Sequence, residues 1–192
     1  TFIFLYCITI FSILSEFLLQ NAIAVSESHP IYSMLVSRFY IFWGMLWNAI
    51  VIIYYTMLYR KYKGKEFDYS FSRKLNTIIF GVTAVIATLV ISLPLTSTMN
   101  DVGFYILDGP LNLVYNRMAI ICDGILALFI IINSKKLPKQ LVWYSILIFV
   151  LYVTNFALEG ALSYNIKDSQ FIYSLFVTAL YFTTESQDRQ AL

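Results

Sequence analysis

Charged residues are scarce in this chain of 192 residues. Lysine and arginine contribute 13 residues and aspartate and glutamate 11, so 12% of the chain is charged, whereas 59% is hydrophobic and 18% is aromatic. An average soluble domain carries about 25% charged residues. The composition therefore excludes an ordinary soluble domain and a nucleic-acid-binding protein, which needs a large basic surface, and it predicts a protein of the lipid bilayer.

Cysteine, histidine and the motifs of catalysis are also rare or missing. Cys7 and Cys122 lack metal-ligand spacing and are predicted to be packing residues, and His29 is the only histidine. The sequence holds no GxSxG, HExxH or P-loop motif and no Cys, His and carboxylate set. We therefore predict that this chain is not an enzyme by itself and uses no metal and no cofactor.

Long hydrophobic runs fill most of the sequence. A helix needs about 20 apolar residues to cross a bilayer. Six segments meet this description, the last being the shortest: Phe2 to Ala24, Ile31 to Tyr59, Leu75 to Leu95, Leu113 to Asn133, Leu141 to Tyr164 and Phe171 to Thr184. All four prolines lie at or beside the ends of these runs, so the helix interiors are unbroken. The predicted fold is all-α, a polytopic bundle of six membrane spans.

The positive residues predict the orientation. Six lysines and arginines lie between the second and third spans, at positions 60–74, and three lysines lie between the fourth and fifth. Because lysine and arginine are retained on the cytoplasmic side, both loops and both ends of the chain should be cytoplasmic. The chain begins inside a span and ends on a polar, helix-compatible run. We expect residues 1–184 to form the membrane domain and 185–192 to begin a cytoplasmic signalling helix.

Five ionisable residues lie within the predicted spans. An ionisable group at membrane depth costs roughly 2.5 to 3.5 kcal/mol on insertion scales, so each is a candidate site residue. They are Glu16, Arg38, Arg117, Asp123 and Glu159. All five are predicted in the outer half of the bundle, as a polar or ligand-binding cluster. The supporting polar residues are Tyr40, Asn48, Asn112, Asn116 and Asn155.

Glu16 and Arg38 are predicted at equal depth, ~10 to 12 Å below the outer surface in adjacent spans. A carboxylate and a guanidinium can form two parallel hydrogen bonds there. The pair is either a structural clamp between the first two spans, which we favour, or part of a ligand site. The asparagines have the same two interpretations, because asparagine also joins membrane helices without any ligand.

Several short motifs occur in order along the chain. Glu16 follows Ser15, Arg38 lies in the run SRFY, residues 108–112 read DGPLN, and residues 180–188 read LYFTTESQD. This order resembles the polytopic input regions of Firmicutes-type bacterial sensor proteins, whose last motif reads YFTxENPD or YFTxESPD. In those proteins the motif leads into a histidine kinase or a GGDEF diguanylate cyclase. Here Gln187 replaces the proline, which favours a continuous helix at that point.

The resemblance implies a membrane-embedded sensory domain that passes a signal through its last helix to a cytoplasmic effector, first a histidine kinase and second a diguanylate cyclase. It also implies a seventh span, a homodimer through the full-length protein, a bacterial inner-membrane location and an unknown small ligand. Two other classes stay open. Intramembrane charges also mark small transporters or channels, and all five charges could instead serve only as internal staples of a structural anchor.

Overall fold

A computed structural model of the chain describes residues 2–62, 69–99 and 105–135, together with single positions between 137 and 154. Its elements are α1 (Phe2–Ala24), α2 (Pro30–Tyr62), α3 (Tyr69–Ser92), β1 (Thr96–Met99), β2 (Tyr105–Asp108) and α4 (Pro110–Asn133). The described part is thus mainly helical, as the sequence predicts. The predicted fifth span lies partly outside the described residues, and the sixth span lies wholly outside them.

Within the described residues, three helices are long and apolar enough to cross a membrane, namely Pro30–Met57, Arg73–Ser92 and Pro110–Asn133, and Thr9–Ala24 forms a shorter apolar helix within α1. Their large apolar side chains are widely exposed on α3 and α4; examples are Phe80, Ile91 and Ile132, each more than 70% exposed. Exposed apolar faces of this kind suit contact with lipid. The helices therefore indicate association with a membrane.

Proline and glycine account for the helix boundaries. Pro30 and Pro110 are the first residues of α2 and α4, where the missing N–H of proline has no intrahelical acceptor to lose. Gly109, just before α4, has a φ of 105°, in the region that favours glycine. At the other boundary α3 ends at Ser92, two residues before Pro94, which cannot continue a helix. The predicted third span, Leu75 to Leu95, begins six residues after the first residue of α3 and ends three residues after its last.

A two-stranded sheet joins α3 to α4, which the all-α prediction missed. β1 and β2 pair antiparallel, with Thr96 opposite Asp108 and Met99 opposite Tyr105. β1 contacts α1 and α2, while β2 contacts α4. We call this pair of strands the hairpin. It lies at the end of the bundle where α1 and α3 finish and α2 and α4 begin, which is referred to below as the hairpin end.

α2 is the central helix of the described bundle. It contacts α1, α3 and α4, and it supplies half of the buried apolar residues in the described part, including Ile41, Met45 and Tyr55, which are at most 1% exposed. Aromatic rings pack the half of α2 far from the hairpin end against α4, because Phe129 lies edge-on to both Tyr55 and Tyr59 at centroid distances of 6.5 and 5.4 Å. Any change in the position of α2 therefore alters its contacts with three neighbouring helices.

The hydroxyl groups of α3 bond within their own helix. Thr83, Thr88 and Ser92 each donate to the carbonyl oxygen four residues earlier, at 2.7 to 2.9 Å. In an apolar environment an unsatisfied hydroxyl is costly, and a bond to the preceding turn removes that cost without a second helix. These side chains are therefore compatible with a face that meets lipid.

Candidate functional site

Polar side chains of α1 and α2 are buried near the hairpin end. On α1, Ser15 is fully buried and Glu16 is 7% exposed, and on α2, Ser33 and Ser37 are at most 1% exposed. The Ser37 hydroxyl donates to the carbonyl of Ser33 at 2.8 Å. Glu16 therefore belongs to a layer of buried polar side chains on the two helices, within a bundle that is otherwise apolar.

Tyr40 on α2 and Tyr115 on α4 are in contact between two helices. Their rings lie 6.2 Å apart in an edge-on arrangement, and their side chains are hydrogen-bonded. The charges of Glu16, on α1, and Asp123, on α4, both act on the Tyr115 phenol. We call these four residues the tyrosine cluster. Its two tyrosines contact each other between α2 and α4, and the two carboxyl groups act on Tyr115 electrostatically.

Gly44 allows the tyrosine cluster to close. It is buried on α2, one turn after Tyr40, and a Cβ atom at this position would lie 2.8 Å from Cε2 and Oη of Tyr115. Close approach of helices over a small residue is typical of membrane bundles. The ring of Tyr115 therefore occupies the space that a larger residue on α2 would fill.

Asn48 continues the same face of α2. It is 7% exposed, and its side-chain amide donates to the carbonyl of Gly44 at 3.1 Å. α2 and α4 run in the same direction, with Tyr40 facing Tyr115. Eight residues further along each helix, about 12 Å at 1.5 Å per residue, Asn48 and Asp123 come to the same depth.

Arg38 reaches the end of α3. From α2, its Nη1 atom donates to the carbonyl of Val90 and, at 3.4 Å, to the carbonyl of Ile91. A guanidinium carries five N–H donors, so these bonds do not preclude a further bond to Glu16. The pairing of Glu16 with Arg38 stays a prediction, whereas the contact of Arg38 with α3 was not foreseen.

The other predicted site residues are dispersed. Arg117 and Asn116 are exposed on α4. Asn112, at the start of α4, donates to the carbonyl of Leu107 at 2.6 Å and so joins that helix to β2. Asn155 and Glu159 lie outside the described residues. Their membership of one cluster therefore stays a prediction.

Several contacts were not predicted from the sequence. Tyr115 packs against Gly44 and Tyr40, a contact that no sequence pattern indicated. The buried Trp47 indole donates to the hydroxyl of Thr9 at 3.1 Å, which joins α1 to α2. One signal was present: Tyr40, Gly44 and Asn48 recur every four residues, which places them on one face of a helix.

The tyrosine cluster offers hydrogen-bond donors, acceptors and negative charge. In the part of the chain that the structure describes, no three His, Cys, Asp or Glu side chains lie close enough to hold a metal ion. Phenol groups and carboxylates in an apolar setting can exchange protons or bind a polar ligand. The arrangement thus suits recognition of a small polar group or a change of protonation.

Comparisons with known proteins leave the family open. No protein-family model matches the chain, and neither the curated proteins nor the solved structures include a similar one. The function therefore has to be argued from the residues themselves.

Proposed function

We propose that this chain is the membrane-embedded signal-input domain of a bacterial sensor protein. The observation that carries the proposal is the tyrosine cluster, in which Tyr40 and Tyr115 contact each other between α2 and α4 inside an apolar bundle, within the electrostatic reach of Glu16 and Asp123. Ionisable groups at membrane depth are costly and are usually functional. A polar contact between two packed helices is also a place where one local event changes the positions of both helices.

The mechanism is a shift between two packings of the bundle. A small ligand, or a proton, that interacts differently with the two packings changes their populations by that difference. Because Tyr115 packs directly over Gly44, a movement of its hydroxyl displaces α4 relative to α2. The last predicted span then passes the movement to a cytoplasmic effector, for which a histidine kinase is the first choice and a diguanylate cyclase the second.

The proposal includes a topology. The domain has six spans in this chain, within a module of seven, and lies in the bacterial cytoplasmic membrane with both of its ends in the cytoplasm. The positive residues at positions 60–74 support this orientation. The hairpin end then faces outward, so that the tyrosine cluster lies in the outer half of the bundle. The full-length protein acts as a homodimer, as kinase and cyclase outputs often require.

A small transporter or channel is the rival proposal, since it also uses buried charges. Transporters usually bind their substrates at helices that are interrupted near the midplane. α2, α3 and α4 are continuous over 33, 24 and 24 residues. Among the described helices, this continuity favours signal transmission over transport.

The test uses the full-length protein in native membrane vesicles. Two outputs are measured, phosphate incorporation from ATP and cyclic di-GMP formation from GTP. Tyr115→Phe removes the hydroxyl and keeps the ring over Gly44, and Asp123→Asn removes the charge. Each should change the output by about fivefold or more, the lower range of measured coupling between sites. Tyr32→Phe, which removes the hydroxyl of an exposed tyrosine on α2, is the matched control and should match the wild type.

Two results would overturn the proposal. The first is an absence of both outputs in the wild type, together with solute flux into proteoliposomes, which would favour a transporter. The second is an output that is equal in the wild type, Tyr115→Phe and Asp123→Asn at equal protein levels in the membrane. That result would assign the tyrosine cluster a structural role only.

A further inference from the structure

Arg38 satisfies the end of a neighbouring helix. The last four carbonyl groups of an α-helix lack an intrahelical donor, and α3 ends at Ser92. Nη1 of Arg38, on α2, donates to the carbonyls of Val90 and Ile91 in this last turn. The positive guanidinium also lies at the negative end of the helix dipole, where a cation is favoured. α2 is thereby tied to the terminus of α3.

The terminus of α3 leads directly into the hairpin. From Ser92 the chain passes through Pro94, whose carbonyl accepts a bond from the amide of Leu111 at 3.1 Å, and enters β1 at Thr96. The hydroxyl of Ser97, in β1, lies 3.2 Å from the hydroxyl of Ser33 on α2. α2 therefore holds the connection between α3 and α4 at two points, Arg38 and Ser33.

These two points differ in strength. The contact of the two serines is one neutral hydrogen bond, whereas Arg38 makes charge-assisted bonds, which are roughly twice as strong. Both of its bonds come from one guanidinium nitrogen, Nη1, so the contact depends on where that single charged donor lies. Ser33 and Arg38 are five residues apart, which is about 7.5 Å along the helix. Arg38 therefore contacts the last turn of α3, deeper in the bundle, and Ser33 contacts β1 of the hairpin.

We infer that Arg38 is a latch that positions the hairpin against α2, and that the hairpin communicates with the central helix through this latch. The signalling role of the latch rests on the proposed function, whereas the positioning role does not. When the hairpin is displaced, the bonds to Val90 and Ile91 break and α2 is released from α3. Because α2 also carries Tyr40 and Gly44, its release changes the packing of the tyrosine cluster.

The test measures the distance between the hairpin and α2. In the full-length protein, with all other cysteines replaced, Ser33→Cys and Ser97→Cys form a pair whose side chains start in contact. The rate of disulfide formation with a mild oxidant is measured in native membranes by a gel shift with a bulky maleimide. Arg38→Gln should lower this rate about tenfold, which matches the loss of about one charge-assisted hydrogen bond.

Two further variants make the result specific. Arg38→Lys keeps the positive charge but places its donor nitrogen differently, and it should give a rate between those of the wild type and Arg38→Gln. Arg73→Gln removes an exposed arginine at the opposite end of α3 and should leave the rate unchanged. An Arg38→Gln rate equal to the wild-type rate would overturn the latch. If Arg38→Gln does not accumulate in the membrane, Arg38→Met removes the charged donor and keeps an unbranched side chain, and a rate equal to the wild-type rate in that variant would overturn the latch.

The same membranes separate the two claims. If Arg38→Gln lowers the disulfide rate and also changes the kinase or cyclase output, both the positioning and the signalling role are supported. A lower rate with unchanged output overturns the signalling role of the latch. A wild type without either output overturns the proposed function, while the disulfide rate still decides whether Arg38 positions the hairpin.

Discussion

Gly44 provides the sharpest test of how α2 and α4 pack. In the variant Gly44→Ala, the new Cβ atom would lie 2.8 Å from Cε2 and Oη of Tyr115 and 3.0 Å from Cζ. Non-bonded carbon atoms prefer a separation of about 3.5 to 4.0 Å, so the helices would have to move apart by several tenths of an ångström. Overpacking of this kind costs about 1 to 3 kcal/mol.

The chain contains matched controls for this change. A Cβ atom at Gly81 on α3, or at Gly124 on α4, would meet no atom within 4 Å. Alanine is favoured over glycine in helices by about 0.8 to 1 kcal/mol, so Gly81→Ala and Gly124→Ala should be neutral or stabilising. The steric cost appears as the difference in stability between Gly44→Ala and these two variants.

The assay is thermal unfolding of the purified protein in detergent, followed by loss of the monodisperse fraction. For a chain of this size, 1 kcal/mol corresponds to about 2 to 4 °C in Tm. Gly44→Ala should therefore unfold at least about 2 °C below Gly81→Ala. In a Tyr115→Leu background the difference should vanish, because the ring is gone. A Gly44→Ala variant as stable as both controls would refute the packing argument.

Three further contacts give predictions for the same assay. Thr9→Val removes the acceptor of the Trp47 indole. In a double-mutant cycle with Trp47→Phe, the coupling energy between the two positions should be about 0.6 kcal/mol or more; strict additivity of the two variants would contradict the bond. Asn112→Ala breaks the bond from α4 to β2 and should cost about 1 kcal/mol, whereas the exposed Asn116→Ala control should stay within about 0.5 kcal/mol of the wild type. Gly109→Ala should cost about 1 to 3 kcal/mol, because the φ of 105° strains any side chain; an unchanged Tm would disprove that strain.

Helix positions were predictable because each depends on local properties. Runs of apolar residues long enough for a bilayer predicted the first, second and fourth helices to within a few residues. Pro30 and Pro110 act within one turn of their own position, so their effect is readable from sequence. α3 begins six residues before Leu75 because a helix continues past the apolar run that the bilayer requires.

The hairpin was missed for a physical reason. Each strand has four residues, and so short a strand has no stable pattern of its own. Its stability depends on its partner strand and on contacts with α1, α2 and α4. Strand pairing between residues 96–99 and 105–108 is a tertiary event, which periodicity does not report.

By itself, the sequence determined that the chain is apolar and mainly helical, where the first, second and fourth helices lie to within a few residues, and that ionisable residues lie inside its apolar runs. These properties follow from transfer energies and backbone constraints that act residue by residue. Only the tertiary structure decided which of these residues meet. It brought Tyr115 over Gly44 and Arg38 to the end of α3. Such contacts depend on the rotation and depth of each helix relative to its neighbours, which packing sets after the helices have formed.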